Sequence, residues 1–532
     1  MKKVISLMLA GMITMSVGVS CKSNSGKTST SESLGGESLS SENLSSESFT
    51  SEQESNSETV SGRYDISDIV APTYDHEDYL QITAYAGPCP PPKSGATDTF
   101  TDYHFQKVAE AGFTHVLALY EGNGSVPGNI SAFDKIIARS KHAEEDALVA
   151  LDLCEKYGLK YLVRDWSYYG LSREMENLGI PVTYENMERI HASMFSAQNP
   201  YINHPAFGGN FTFDEPYYEE LEGIAWQVEL YNKYIALNGN GQGEPMVNLY
   251  PSYVGSNVSH QGYKTYTDYL NKYFETIAPQ IGYISFDFYP FLYNAYTGSQ
   301  LKTAYLSSLE QIALKCKTTR NTDKPIEMRT FIQTVGDFTG LRSMTSIGDL
   351  RFQIYTCLAF GSREIKYYKY IDELEADADS DWALLSYKTG EYTWLYDCAK
   401  TVNNEVHQIE DALLNFEWEG TLYNNSDPMI DNQNFANMIS PSESHPRIAE
   451  FNSTEDALLT FFKDKDNNDA FMLVNFTDPH FKKDNTVTLK FNDARGLLMY
   501  RMGQRIIVPL NTEGEYHFVL YPGEGRFIIP LK

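Results

Sequence analysis

The chain has 532 residues, a formal net charge of -29 and an aromatic content of 13%. That length exceeds what one core organises, so a large domain and a smaller one are expected. The charge excludes nucleic acid and anionic membrane surfaces as electrostatic partners, because both would repel it. The cysteines are scattered with no CxxC or zinc-knuckle pair, and no Gly-x-Ser-x-Gly elbow, His-Glu-x-x-His or P-loop occurs. No metal and no cofactor is therefore expected. The 38 tyrosines, 28 phenylalanines and 5 tryptophans suit stacking on sugar rings and suit a large barrel core equally.

Residues 1–20 have a basic start, Lys2-Lys3, then an apolar run too short to span a membrane, then small residues before Cys21. This is the pattern of a secretory signal. It resembles a bacterial lipoprotein signal, although Gly18 stands where such signals prefer Leu or Val. The resemblance implies lipidation at Cys21, anchoring to a membrane through that lipid, and an extracytoplasmic location in the cell envelope. Residues 21–62 are rich in Ser and Glu, with recurring Ser-Glu-Ser-Leu phrases. Such a stretch buries too little apolar surface to offset the entropy of ordering it, and is expected to be a flexible acidic tether.

Over 63–415 short apolar runs alternate with helical segments, the pattern of successive βα units. Strands are predicted at 79–85, 114–120, 160–165, 207–215, 245–250, 282–289, 325–333 and 364–369. Helices are predicted at 102–111, 144–157, 184–197, 219–237, 266–277, 301–317 and 346–360. Eight strands with intervening helices is the arithmetic of a (β/α)8 TIM barrel, and no Gly-rich loop follows the first strand to support an open dinucleotide-binding sheet. An acidic run, 372–381, is expected to be a solvated loop, and 393–413 a helix closing the barrel region. From 416 to 532 the helical period gives way to β-type runs at 457–462, 470–476, 486–491, 516–521 and 526–530, with Pro522-Gly-Glu-Gly525 as a tight turn. These predict a C-terminal antiparallel β-sandwich domain.

Barrel enzymes keep their chemistry at the C-terminal strand ends. The fourth strand, Phe207-Gly-Gly-Asn-Phe-Thr-Phe-Asp-Glu-Pro216, ends in two adjacent carboxylates. Strand alternation puts Phe211, Phe213 and Glu215 on one face and Thr212 and Asp214 on the other, so Glu215 is expected to face the cavity and Asp214 to turn aside. Asp214 then either supports the site or caps a helix beginning at Pro216. On the sixth strand Asp287 is in phase with Tyr283, Ser285 and Tyr289, which predicts an inward carboxylate or an ion pair with Lys369 or Arg329. Asp165 and Trp166 end the third strand, Glu121 the second, and Tyr368 the eighth; Gln333 ends the seventh. Together with Tyr289 these are the candidate substrate-binding residues, and Trp166, Tyr168, Tyr169, Tyr289 and Trp382 are candidate platforms for a pyranose ring. A protonated and an ionised carboxyl facing one another are what glycoside hydrolysis requires.

On Phe213-Asp-Glu-Pro216, Phe286-Asp-Phe-Tyr-Pro290, Lys324-Pro-Ile326 and the final Pro-Gly-Glu-Gly turn, residues 75–532 resemble a bacterial (β/α)8 glycoside hydrolase. The clan is the one whose acid/base glutamate ends the fourth strand, with a β-sandwich following the barrel. The resemblance implies a carbohydrate substrate, no protein partner, and Glu215 as proton donor. Retaining members carry a glutamate nucleophile at the end of the seventh strand. Here that position offers Thr330 or Gln333, and Glu327 lies about 20 Å away from the Gln333 end. Inversion with Asp287 as base, substrate-assisted attack with Asp214 in support, and a non-catalytic glycan-binding barrel stay open.

Overall fold

The computed structural model describes residues 62–532 except 92–95, 123, 292–300, 322–323, 337–340, 373–382, 425–441 and 443. The signal segment, Cys21, the tether to residue 61, the acidic run from 373 and Trp382 lie outside the described residues.

Eight parallel strands close into a barrel: β1 (Gln81–Tyr85), β2 (His115–Leu117), β3 (Lys160–Val163), β4 (Phe207–Asp214), β5 (Glu244–Leu249), β6 (Tyr283–Asp287), β7 (Glu327–Gln333) and β8 (Ser362–Tyr368). They follow one another round the barrel in chain order, and β8 closes on β1 from Gln81 opposite Glu364 to Tyr85 opposite Tyr368. The inward faces bury Tyr85, Leu117, Leu162, Phe211, Met246 and Phe331 as the barrel's own core. Alternate residues, such as Val116, Val163, Phe213 and Val247, join the larger core under the helices. Short strands buried on both faces follow from this, and explain why they are nearly continuously apolar.

The outer layer is α1 (Asp102–Glu110), α2 (Ala132–Lys156), α3 (Leu171–Asn177), α4 (Tyr184–Met194), α5 (Leu221–Asn238), α6 (Tyr266–Thr276), α7 (Ser307–Thr318), α8 (Ile347–Ala359) and α9 (Trp394–Leu413). Three differ from expectation: α3 is an additional helix that no predicted segment covers, and two others start elsewhere. α2 begins twelve residues before the predicted start, at a Ser131 cap that accepts the Asp134 N–H; its polar first half, including Lys135, Arg139, Lys141 and His142, hides the period. α5 begins at Leu221, so the predicted helix from Pro216 is a turn, in which Glu220 accepts the Tyr217 N–H at 2.7 Å.

The C-terminal strands are β9 (Phe416–Asn424), β10 (Ile448–Ser453), β11 (Ala457–Asp464), β12 (Asp469–Asn475), β13 (Asn485–Phe491), β14 (Gly496–Arg501), β15 (Gln504–Pro509), β16 (Glu515–Leu520) and β17 (Gly525–Leu531). They form a six-stranded sheet, β9-β11-β12-β17-β14-β15, facing a three-stranded one, β10-β13-β16. Leu459, Phe471, Leu497 and Ile528 of the first meet Val487, Leu489 and Phe518 of the second in a separate sandwich core. The six-stranded sheet is buried on its other face too: Leu458, Met472, Leu498 and Phe527 belong to the barrel's outer core. Helix α8 lies between the two, buried from Gly348 to Ala359, with Phe352 stacked on Phe476 at 4.9 Å. Its charged residues are paired: Arg351 with Glu405 at 2.6 Å, and Asp349 with Arg342 at 3.0 Å. Residues 64–74 run along this sandwich before entering the barrel. The Tyr64 N–H bonds Leu510, Arg495 grips both oxygens of Asp68, and Tyr74 packs on Phe416.

Candidate active site

The fourth strand is shaped by a glycine. Gly209 has φ +134, and a Cβ there would lie 1.9 Å from the Glu244 carbonyl oxygen, so only glycine lets β4 approach β5 this closely. A bulge follows between Phe211 and Phe213. Phe211 pairs with Met246 and faces the interior, Phe213 pairs with Val247 and faces the helices, and Asp214 pairs with Asn248. One residue has been absorbed, which reverses the phase beyond it. Asp214 is therefore not turned aside and caps no helix. It faces the barrel mouth, where Asn248 Nδ2 donates to its Oδ1 at 3.1 Å.

Glu215 is then held in the left-handed region at φ +48, its N–H donating to the Asn248 carbonyl at 2.9 Å. For a residue other than glycine this conformation costs about 1–2 kcal/mol, and such strain persists where the surroundings impose it. Its effect is to bring two adjacent acids to the same mouth. Asp287 arrives from β6 as the alternation of that strand predicts: Ser285, two residues earlier, reaches inward to Asn248 Oδ1 at 2.9 Å, and Asp287 Oδ1 accepts from Asn248 Nδ2 at 3.3 Å. Because Asp214 and Asp287 accept from one nitrogen, their bonded oxygens lie at most the sum of the two bonds, 6.4 Å, apart. Asp287 makes no pair with Arg329, which lies at the other end of the barrel with Glu244, Glu327 and Glu364.

Three acids in one enclosure cannot all ionise freely. Burial, followed by the charges of Asp287 and Asp214, pushes the Glu215 carboxyl well above the ordinary range, against a smaller opposing pull from Arg173. Burial and then the charge of Asp214 push Asp287 up to about 8, opposed by its bonds to backbone and to Asn248. Burial raises Asp214 to about 6; Asn248 and the arginines Arg164 and Arg173 oppose it. Of the two aspartates Asp214 is raised the less, because the arginine charges that oppose its burial have no counterpart at Asp287.

An arc of aromatic rings runs round the mouth and across the top of the barrel core, where Phe211 and Tyr85 are buried beneath it. Trp166 is stacked on Tyr169, which meets Phe211 at 5.0 Å; Phe211 meets Tyr85, Tyr85 meets Tyr368, and Tyr368 stacks on Tyr289 at 5.2 Å. Trp166 is 37% exposed, a large ring left open to solvent, with the Arg164 guanidinium 3.6 Å from its centroid. Tyr168 is fully buried under α5 and offers no platform.

Three predicted substrate contacts do not reach the mouth. Asp165 is fully buried and accepts from Ser167 N and Oγ at 2.9 and 2.7 Å; Leu162 faces inward, so Arg164 is the inward residue at this strand end and Asp165 faces the helices. Glu121 is buried against Tyr161 Oη and the Tyr120 N–H, and burial pushes it up to about 7. Gln333 is fully buried and donates to the carbonyls of Val335 and Arg342 at 2.9 and 2.8 Å, while its own N–H bonds Gln353. It fastens the loop after β7. Asn248, Arg164 and Arg173 are the site residues that sequence reasoning missed. For Asn248 a signal existed: a lone amide in phase with Met246 at the end of an apolar strand.

A cavity at the opposite, N-terminal end is lined by His115, Glu244, Tyr283, Arg329, Glu364 and Lys366. Lys366 pairs with Glu364 at 2.5 Å and Arg329 with Glu244 at 2.6 Å, about 13 Å along the strands from the acids. This is the polar floor of the barrel, at the face where barrels keep structural residues. On the outer surface Asp152, Glu155 and His204 bring three metal-type ligand atoms together. His204 Nδ1 already accepts the Ala206 N–H, so a neutral ring carries its proton on Nε2 and directs it at Asp152, 3.2 Å away. That suits a hydrogen-bonded pair and not a metal ligand.

No protein-family model matches the chain, and no curated protein matches it. Among solved structures it is similar to a GH42 beta-galactosidase from G. stearothermophilus, at 8% identity, covering 86% of this chain and 99% of that one with TM-score 0.48. A family 5 glycoside hydrolase from Bacteroides vulgatus ATCC 8482 shows 10% identity, 86% and 89% coverage and TM-score 0.46. A beta-galactosidase from the psychrophilic Marinomonas ef1 shows 11% identity and TM-score 0.42; the match covers 63% of this chain and spans 60% of that enzyme's length.

Proposed function

We propose that this protein is an O-glycosidase acting on an extracellular glycan, with Glu215 as general acid. The observation that carries the reading is the convergence of Asp214, Glu215 and Asp287 on one aromatic-lined barrel mouth, where their surroundings separate them into acids that ionise at different pH. Glu215 keeps its proton at neutral pH and donates it to the departing glycosidic oxygen. Asp214, held charged by Arg164 and Arg173, is the anion that supports positive charge developing at the sugar carbon and assists the attacking group. Asp287, protonated at neutral pH, is a hydrogen-bond donor to a sugar hydroxyl and not the base. The rings of this arc that are not buried, Trp166, Tyr169, Tyr289 and Tyr368, supply apolar faces for the sugar ring. On this reading the leader and Cys21 deliver the barrel to the outer side of a membrane, where such glycans lie.

A glycan-binding barrel without cleavage is the second reading. It is favoured by the described end of β7, which carries Gln333 with its side chain occupied and no carboxylate. Incubating wild type and Glu215→Gln with a panel of aryl glycosides and polysaccharides separates the two. Wild type should release sugar, and the variant should lose about 10²–10⁴-fold in rate, least on aryl groups that leave without a proton. No release by wild type overturns the hydrolase; unchanged release by the variant overturns Glu215 as acid.

A further inference from the structure

We propose that Asn248 is the positioning residue of the site, holding all three acids in register from the strand between them. It touches each one. Its side-chain nitrogen donates to Asp214 at 3.1 Å and to Asp287 at 3.3 Å, and its backbone carbonyl accepts the Glu215 N–H at 2.9 Å. The register makes this possible: Asn248 lies opposite Asp214 on one side and opposite Ser285 on the other, so β5 is the only strand that borders both acid-bearing strands.

The amide's orientation is fixed by the same neighbours. Ser285 Oγ donates to Asn248 Oδ1 at 2.9 Å, which leaves the two N–H bonds of Nδ2 for the two carboxyls, one each. Turned the other way, the amide oxygen would face two carboxyl groups and repel whichever is ionised. Asn248 is 4% exposed, so these contacts are made out of water, where a donor to an ionised carboxylate counts for most. The backbone bond has a separate effect: it pins the peptide of the one residue in this segment that is in the left-handed region, and so aims the Glu215 side chain into the mouth. A side chain that only filled space at this point would be apolar, as Met246 and Leu249 are on the same strand. This inference rests on the proposed site but not on hydrolysis taking place there.

The test follows the carboxyls and not only the turnover. Full-length protein labelled with ¹³C at the aspartate carboxyls is titrated by NMR as wild type, Asn248→Ala and Ser285→Ala, with Asp214→Asn and Asp287→Asn identifying the two resonances. In Asn248→Ala both titrations should move up by about one pH unit, since a charge-assisted hydrogen bond is lost to each. In Ser285→Ala, which keeps the amide but frees it to turn, they should move in the same direction by less. Where wild type cleaves an aryl glycoside, the acid limb of kcat/KM against pH should shift upward with Asp214, a change that mere loss of packing would not cause. Unmoved aspartate titrations in a folded Asn248→Ala or Ser285→Ala protein overturn the proposal, whether or not the protein is a hydrolase. Moved titrations with no cleavage of any glycoside sustain it and overturn the glycosidase reading instead.

Discussion

Replacing Asp287 by Asn should stabilise the protein, and by an amount that depends on pH. The Asp287 carboxyl is buried beside Asp214 and titrates near 8 in the fold, against an ordinary 3.8. Below about pH 4 the carboxyl is protonated in both the folded and the unfolded chain, and the stability associated with it is fully present. As pH rises from there, the unfolded chain releases the proton and the folded one does not, so stability is lost at about 1.4 kcal/mol per pH unit until the folded group ionises near 8. The full interval corresponds to about 6 kcal/mol. Since part of that rise comes from the charge of Asp214, to which the titration of Asp287 is coupled, about 2 kcal/mol is the portion to expect from one substitution. Asparagine keeps an oxygen to accept from Asn248, so the geometry survives. Thermal unfolding of wild type and Asp287→Asn at pH 4 and pH 8 is the assay: the midpoints should nearly coincide at pH 4, and the variant should be the more stable at pH 8. Equal gains at both pH values, or a loss at pH 8, would refute the placement of Asp287 as a buried neutral acid.

Gly209→Ala should cost about 3 kcal/mol or more, because its Cβ would meet the Glu244 carbonyl at 1.9 Å and the backbone must adopt φ +134. The same substitution should also abolish activity at temperatures where the protein stays folded, since the bulge and Glu215 lie beyond it; circular dichroism melts paired with assays check both. Arg342→Ala should cost about 3 kcal/mol, because Arg342 Nη2 joins Asp349 at 3.0 Å to Asp478 of the sandwich at 3.1 Å, and its loss leaves a buried and a partly buried carboxylate without their shared cation. Calorimetry should show barrel and sandwich melting less cooperatively; a single unchanged transition would show that the pair does not couple them.

The sequence by itself determined the eight strands and the sandwich, because both rest on periodicity: apolar runs buried on two faces, and alternation along antiparallel strands. Where turn chemistry departed from the usual residues, legibility failed. The hairpin β14–β15 turns at Met502-Gly503, both at positive φ, with methionine where Asn or Asp ordinarily signals such a turn. The acids were legible as types at strand ends. Their directions were not, because direction is a count of residues along a strand and one bulge reverses it. At Thr212 that bulge brought Asp214 inward, and one residue of phase on β3 exchanged Asp165 for Arg164. Only the closed barrel, which sets β5 between β4 and β6 and forces Gly209 against Glu244, decided that three carboxyls share one mouth and that Asn248 stands among them.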